Sequence, residues 1–257
     1  PRSWSQVAGA NGDVRVAVIG LNGRGKNHLG SLSKIAGVRI VALCDPDTAV
    51  LERTKKTLGD SAIRTFVDVR DLLAAKDIDA VTIATPNHWH SLGAIWACQA
   101  GKDVYVEKPV SHNVWEGRQL VAAATKYGRV VQAGTQIRSG DGLREAVQWV
   151  QSGQLGKIAA ARGFCYKFRG SIGKTTGPQA LPGTVNYDLW SGPAPKAELH
   201  RKRLHYDWHW DWNTGNGEMG NWGPHILDDL RNVVFRDKVK LPKRVLRTYA
   251  AAPRTLL

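Results

Sequence analysis

Cysteine is scarce in this chain of 257 residues: there are three, and an odd number cannot close a disulfide framework. Cys44, Cys98 and Cys165 sit in apolar segments without metal-ligand spacing, so they read as reduced core residues, and no metal site is expected. No run of about 18 apolar residues occurs, which excludes a transmembrane helix. An initiator Met and a signal peptide are also missing. Pro1 to Asn11 is polar with Gly and Ala, and residues 1–13 read as an N-terminal arm or a processed start. The missing leader therefore leaves the compartment open. Acidic residues are few, 22 against 36 Lys and Arg, for a net charge of +14. Such a charge suits nucleic acid or an acidic substrate. The basic residues are scattered, however, and Lys196 to Arg203 is their one dense cluster, so no nucleic-acid partner is expected.

What is present is ordinary for a globular protein: 42% hydrophobic and 23% charged, over a length that suits one or two domains with a sizeable core. Val14 to Ile19 is a short β-branched run that ends at Gly20. Gly20-Leu21-Asn22-Gly23-Arg24-Gly25 follows, then a helical stretch through Leu32. Strand, glycine turn and helix form the context of a dinucleotide fingerprint. Glycines permit the tight turn and let a pyrophosphate approach the helix N-terminus, where free N–H groups and the dipole favour negative charge. Asn22 stands where the second glycine of G-x-G-x-x-G would fall, and Asn tolerates positive φ better than most residues. The next strand, Val38 to Cys44, ends at Asp45, 20 residues after Gly25. A carboxylate there can accept bonds from adenosine ribose hydroxyls and would repel a 2′-phosphate, so NAD is expected rather than NADP. Asp47 reads as a helix cap or a solvent residue.

The alternation continues. Ala80 to Ala84 reads as a third strand running into Thr85-Pro86-Asn87-His88-Trp89-His90, followed by a helix over Ser91 to Ala100. Val104 to Val110 reads as a buried strand that ends on Lys108, fixed by Pro109. A helix over Trp115 to Lys126 and a strand over Val130 to Ala133 come next. This is the βαβ pattern of a parallel sheet, whose ligands bind outside the carboxyl ends of the strands. A lysine at such a strand end either caps the strand at the surface or faces the reactive end of a nicotinamide. His88 and His90 lack the spacing and carboxylate partner of a helical zinc motif and read as packing beside the cofactor.

The chain resembles the Gfo/Idh/MocA, or glucose–fructose oxidoreductase, family from residue 14 onward. The matching residues are Val18-Ile19-Gly20 with its turn, Cys44-Asp45, Ala84-Thr85-Pro86-Asn87-His88, Glu107-Lys108-Pro109, Gly134 to Ser139, and Tyr187 to Pro193. The resemblance implies a fold of class α/β: an N-terminal Rossmann doubly wound parallel sheet over 14–136, then a partial α+β open-sheet domain over 137–257. It implies NAD(P)-dependent hydride transfer to or from a hydroxyl-bearing carbon of a sugar or polyol. Gly20, Asn22, Gly23, Arg24, Gly25, Asp45, Thr85, Pro86, Asn87, His90, Glu107 and Lys108 are the expected cofactor residues. Lys108 would also hold the substrate hydroxyl. The family's Asp-x-x-x-His pattern maps to Asn221-Trp222-Gly223-Pro224-His225, which keeps the acid/base His225 but puts a non-ionising Asn221 at the aspartate. Homo-oligomers built through the C-terminal sheet are a further implication. The first residues resemble the segment just after a twin-arginine leader in some exported members, so both a cytoplasmic and an exported periplasmic location stay open.

The second half suggests a sugar face. Leu143 to Ser152 reads as an amphipathic helix and Lys157 to Tyr166 as a strand, with Tyr166 and Lys167 at its end as substrate contacts. Over Tyr206 to Trp212 the aromatics recur at period two; if extended, they share one face while His205, Asp207, His209 and Asp211 share the other. That stretch either stacks on a sugar, with His209 and Asn221 contacting it, or packs a loop. Asn221 to Val234 reads as a helix and Val239 to Ala251 as a strand. So few strands leave an open sheet edge, and the chain is expected to be C-terminally truncated or completed by a partner. Two other activities are kept beside the dehydrogenase. One is a glycoside-cleaving enzyme that uses NAD without net redox, and the other is a non-catalytic NAD-binding homologue.

Overall fold

The computed structural model describes residues 12–166 and 168–234. Six strands form one parallel sheet: β1 (Val14–Ile19), β2 (Val38–Cys44), β3 (Arg64–Phe66), β4 (Ala80–Ile83), β5 (Asp103–Glu107) and β6 (Val131–Gly134), in the order β3-β2-β1-β4-β5-β6. Five helices alternate with them: α1 (Arg24–Leu32), α2 (Thr48–Leu58), α3 (Val69–Ala74), α4 (Asn87–Gln99) and α5 (Val114–Tyr127). This strand order, reversing between β1 and β4, is that of a doubly wound Rossmann sheet.

The strands are β-branched and apolar because both sheet faces are buried. Along β1, Ala17 and Ile19 join one hydrophobic cluster with Val81, Ile83 and Val106, while Val18 joins another with Leu21, Leu29 and Leu43. Successive side chains of a strand point to opposite faces, so each strand feeds both cores. A fully buried Leu such as Leu43 contributes about 1.5–3 kcal/mol through removal from water.

Helix boundaries follow local chemistry. Asp47 caps α2, its Oδ1 accepting from the Ala49 amide at 3.0 Å, and Gly59 closes it at φ +68°. Asn113 Oδ1 accepts from the Glu116 amide at 3.0 Å, while the Glu116 carboxylate accepts from the Asn113 side-chain amide at 2.7 Å and from the His112 amide at 3.1 Å; these bonds start α5.

Residues 165–225 cluster with the sheet rather than with the rest of the second half. They hold α7 (Tyr187–Ser191), α8 (Leu204–Asp207) and the first half of α9 (Gly217–Val233). An antiparallel bridge joins Val185 to Asp47, the Thr48 amide donates to the Thr184 carbonyl at 3.0 Å, and the Asn186 amide donates to the Pro46 carbonyl at 2.8 Å. A separate unit contains residues 137–164 and the C-terminal half of α9, with α6 (Asp141–Gln151). In it Arg138 grips Asp228 through two bonds of 2.5 and 2.6 Å. The described residues of this unit carry no strand, and the strand expected over Val239 to Ala251 lies outside the described residues, as does the N-terminal arm over Pro1 to Asn11.

Three expectations are corrected. Lys157 to Tyr166 has no regular secondary structure instead of forming a strand. The run Tyr206 to Trp212 is not extended: α8 passes into a 3-10 turn over Trp208–Trp210. Asp207 is buried at 1% exposure and bonded by the Arg203 amide and guanidinium, which fixes the helical turn. Cys44 and Cys98 are buried, but Cys165 is exposed. The basic cluster is largely paired within the chain: Lys196 with Asp188, Arg201 with Asp211 and Arg203 with Asp207.

Candidate active site

The carboxyl ends of β1, β2, β4 and β5 open into a cavity of about 350 Å³, covered by residues from 189 to 225. At its floor the chain leaves β1 through Gly20, at φ +83°. A Cβ at Gly20 would sit 2.7 Å from the Ala84 carbonyl and the Thr85 amide nitrogen. A Cβ at Gly25 would overlap the Gly20 carbonyl oxygen. Only glycine lets β4 and α1 approach the turn so closely. Gly23 caps α1 without any side-chain bond, so the first amides of this nine-residue helix are left for an anion.

Asp45 ends β2 at the other side of the turn. Its Oδ2 accepts from the Leu21 amide at 2.9 Å and its Oδ1 from the Asp47 amide at 3.0 Å, so the carboxylate is oriented with a lone pair left on each oxygen. Burial pushes the Asp45 carboxyl up, against the pull of those amides. His205 Nε2 lies 2.8 Å from Asp47 Oδ2, tying α8 to this end.

Glu107 and Lys108 end β5. Glu107 is buried, and its Oε1 takes Arg24 Nε at 2.8 Å and His28 Nε2 at 3.0 Å. Burial pushes this carboxyl up, but the bonds from His28 and Arg24 outweigh it and hold Glu107 below its ordinary value. The Lys108–Pro109 peptide bond is cis. Lys108 Nζ donates to the Asn221 carbonyl at 2.9 Å and to Asn221 Oδ1 at 3.1 Å. Burial lowers its pKa, opposed by the charge of Glu107, with Arg24 lowering it further and Glu218 opposing.

The β4–α4 turn is fixed by its histidines. The His90 ring lies 2.8 Å from the Thr85 carbonyl and 2.6 Å from the Pro109 carbonyl, so one imidazole spans the two strand ends. His88 lies between the carbonyls of Trp190 and Thr214, at 3.0 and 3.2 Å. Thr85 Oγ1 and Gln136 Oε1 are buried without a hydrogen-bond partner among the described residues, and both residues line the cavity. A buried polar atom left in this way calls for a ligand that satisfies it.

Of the residues expected from sequence, Gly20, Asn22, Gly23, Arg24, Asp45, Thr85, Pro86, Asn87, His90, Glu107, Lys108, His209, Asn221 and His225 all line the cavity. Gly25 shapes it from behind through the Gly20 carbonyl. Tyr166 is 85% exposed and does not line it, and Lys167 lies outside the described residues. Sequence reasoning missed Gln136, Trp89 and Trp190 in the lining, and His28 as the partner of Glu107. Gln136 stood in the quoted Gly134 to Ser139 stretch, and His28 falls one helical turn after Arg24, which was the available signal. Among the described residues, no group of three or more His, Cys, Asp or Glu could hold a metal ion, and no helix is long and apolar enough to cross a membrane.

Glycine turn, open helix N-terminus, oriented acid and unpaired Thr85 and Gln136 together fit a dinucleotide. Residues 14–135 match the model of an oxidoreductase family with an NAD-binding Rossmann fold, and residues 143–248 match that family's C-terminal alpha/beta domain. A glycosyl hydrolase family 109 protein of Shewanella baltica is 33% identical over 152 residues, which cover 56% of this chain and 33% of that protein. An inositol 2-dehydrogenase of Salmonella paratyphi B is 28% identical over 180 residues, covering 68% of this chain and 52% of that one. The structure of scyllo-inositol dehydrogenase from Lactobacillus casei, solved with NAD(H) and scyllo-inositol, superposes with a TM-score of 0.53 at 30% identity, over 56% of this chain and 43% of that one. The chain thus spans about a third to a half of the length of the relatives it matches.

Proposed function

Because the chain belongs to the Gfo/Idh/MocA oxidoreductase family, we propose that it is part of an NAD-dependent dehydrogenase acting on a secondary hydroxyl of a cyclic polyol or sugar. The observation that carries this reading is Lys108, a half-buried ammonium at the end of β5 held by Asn221 within the cavity. Bound NAD would supply the two-electron oxidant. Gly20, Asn22, Gly23 and Arg24 cradle its phosphates under this reading, Asp45 takes the adenosine ribose, and Thr85, Pro86, Asn87, His90 and Glu107 line the nicotinamide side. Lys108 donates to the reacting oxygen and stabilises the charge that develops there as the proton leaves. Asn221 aims the ammonium, and an imidazole in the cavity takes the proton, which the family pattern assigns to His225. Asn221 and His209 are the substrate contacts of this reading. The reading also carries homo-oligomers through the C-terminal domain, which light scattering of the purified protein checks.

The test is a panel of inositols and hexoses assayed for NADH formation, with Lys108→Ala beside the wild type. Turnover is expected to fall by about 10²–10³-fold, the scale of losing one such donor, while NAD binding persists. Unchanged turnover in Lys108→Ala rejects the mechanism. Similarity to a family 109 glycosyl hydrolase favours a second reading, in which oxidation of a sugar carbon acidifies its neighbour and lets a glycosidic group leave with no net redox. Stoichiometric release of free NADH counts against that version.

A further inference from the structure

Position 221 carries an amide that cannot ionise and is already bonded to Lys108, so the acid/base pair implied by the family pattern is incomplete in this chain. A second imidazole, His209, lies in the same cavity. His209 Nδ1 lies 2.6 Å from the Tyr206 carbonyl. A carbonyl can only accept, so Nδ1 carries the hydrogen and Nε2 keeps the lone pair. No protein hydrogen bond reaches Nε2 among the described residues, and the residue lines the cavity. The ring is held flat against Trp208, centroids 3.6 Å apart at 19°, with Tyr206 at 5.1 Å and Trp210 at 5.2 Å. Three charged groups act on it: Lys108 and Arg169 disfavour a positive ring, and Glu218 favours one. Arg169 is itself committed, paired with Glu218 and lying over the Trp210 ring. Burial is the largest influence and, with the two cations, holds the His209 pKa below its ordinary value.

We propose that His209 Nε2 is the proton acceptor of the reaction, the part that the family pattern gives to residue 225. The inference rests on the dehydrogenase reading. In the step, the substrate C–H bond would break with its hydrogen and both electrons passing as hydride to NAD⁺. The O–H bond breaks with its proton passing to Nε2, and the C=O bond forms. The alcohol is oxidised, NAD⁺ is reduced, and the imidazolium returns its proton to solvent. Lys108 remains a donor throughout and need not titrate.

The experiment uses the full chain, NAD, and myo-inositol and scyllo-inositol as probes. His209→Gln is expected to lower kcat by about 10²–10⁴-fold, the usual contribution of general-base catalysis, with NAD affinity little changed. His209→Ala should regain turnover when imidazole is added. Independently of turnover, ¹⁵N NMR of the imidazoles in the cofactor-free protein should show His209 as the Nδ1–H tautomer at neutral pH. An Nε2–H tautomer overturns the proposal, as does wild-type turnover in His209→Gln. Wild-type protein that reduces no NAD with either inositol rejects instead the dehydrogenase reading on which the proposal rests.

Discussion

His88 makes the protein acid-labile by a calculable amount. Its ring is 3% exposed and touches two carbonyls, an arrangement that by itself would favour a proton on each nitrogen. Burial outweighs those carbonyls, helped by the neighbouring His112 and His90, and lowers the pKa from 6.5 to about 4. The unfolded chain therefore takes up a proton below about 6.5 that the folded chain refuses until about 4. Stability is lost as pH falls through that window and levels off below it. Each unit between the two pKa values is worth about 1.4 kcal/mol, so the full loss is about 3 kcal/mol, of which about 2 falls between pH 7 and pH 5. Urea unfolding of wild type and His88→Gln at both pH values isolates this part, since the other titrating groups are common to both. The variant should start less stable at pH 7, by about 1–3 kcal/mol for the buried bonds it disturbs, and then lose about 2 kcal/mol less on acidification. Equal losses in the two proteins would refute the reasoning.

Asn221→Asp puts a carboxylate on Lys108 Nζ, where the wild type offers a neutral oxygen at 3.1 Å. It should raise the Lys108 pKa and move the alkaline limb of the kcat/KM profile upward; an unmoved limb shows that the lysine charge is not used. Gly25→Ala drives a methyl group into the Gly20 carbonyl and should weaken NAD binding at least about tenfold, or ~1.4 kcal/mol, in a fluorescence titration. Wild-type affinity in that variant means that the turn does not hold the nucleotide.

The sheet was legible because its signals are local. A buried parallel strand is a short β-branched run, and β1, β2, β4 and β5 each end within a residue or so of the glycine or polar group that marked the end in sequence. Helices α4 and α5 were legible for the same reason, although α4 begins at Asn87 rather than Ser91 because the helix takes in both histidines. The region from 204 to 212 misled because an aromatic at every second position is also an aromatic at every fourth. Tyr206 and Trp210 touch at 5.5 Å across one helical turn, so the spacing that suggested a strand served a helix equally well. Lys157 to Tyr166 carries strand-forming residues, yet among the described residues no strand lies beside it to bond, and propensity alone does not make one. In the site, residues at strand ends were visible because topology fixes where those ends lie. Trp190 was not, because long-range folding of residues 165–225 onto the sheet brings it there and no local pattern records it.

One turn of chain carries both His205, whose Nε2 lies 2.8 Å from Asp47 Oδ2, and His209, which lines the same cavity as Lys108. Earlier in the chain, Val185 and Thr184 are fastened to Asp47 and Thr48 at the start of α2. On the dehydrogenase reading, a nucleotide with its ribose on Asp45 would lie beside the His205–Asp47 contact, one helical turn from His209. Saturating polyol should slow the exchange of bound nucleotide, and the two ligands should bind in a fixed order, nucleotide first.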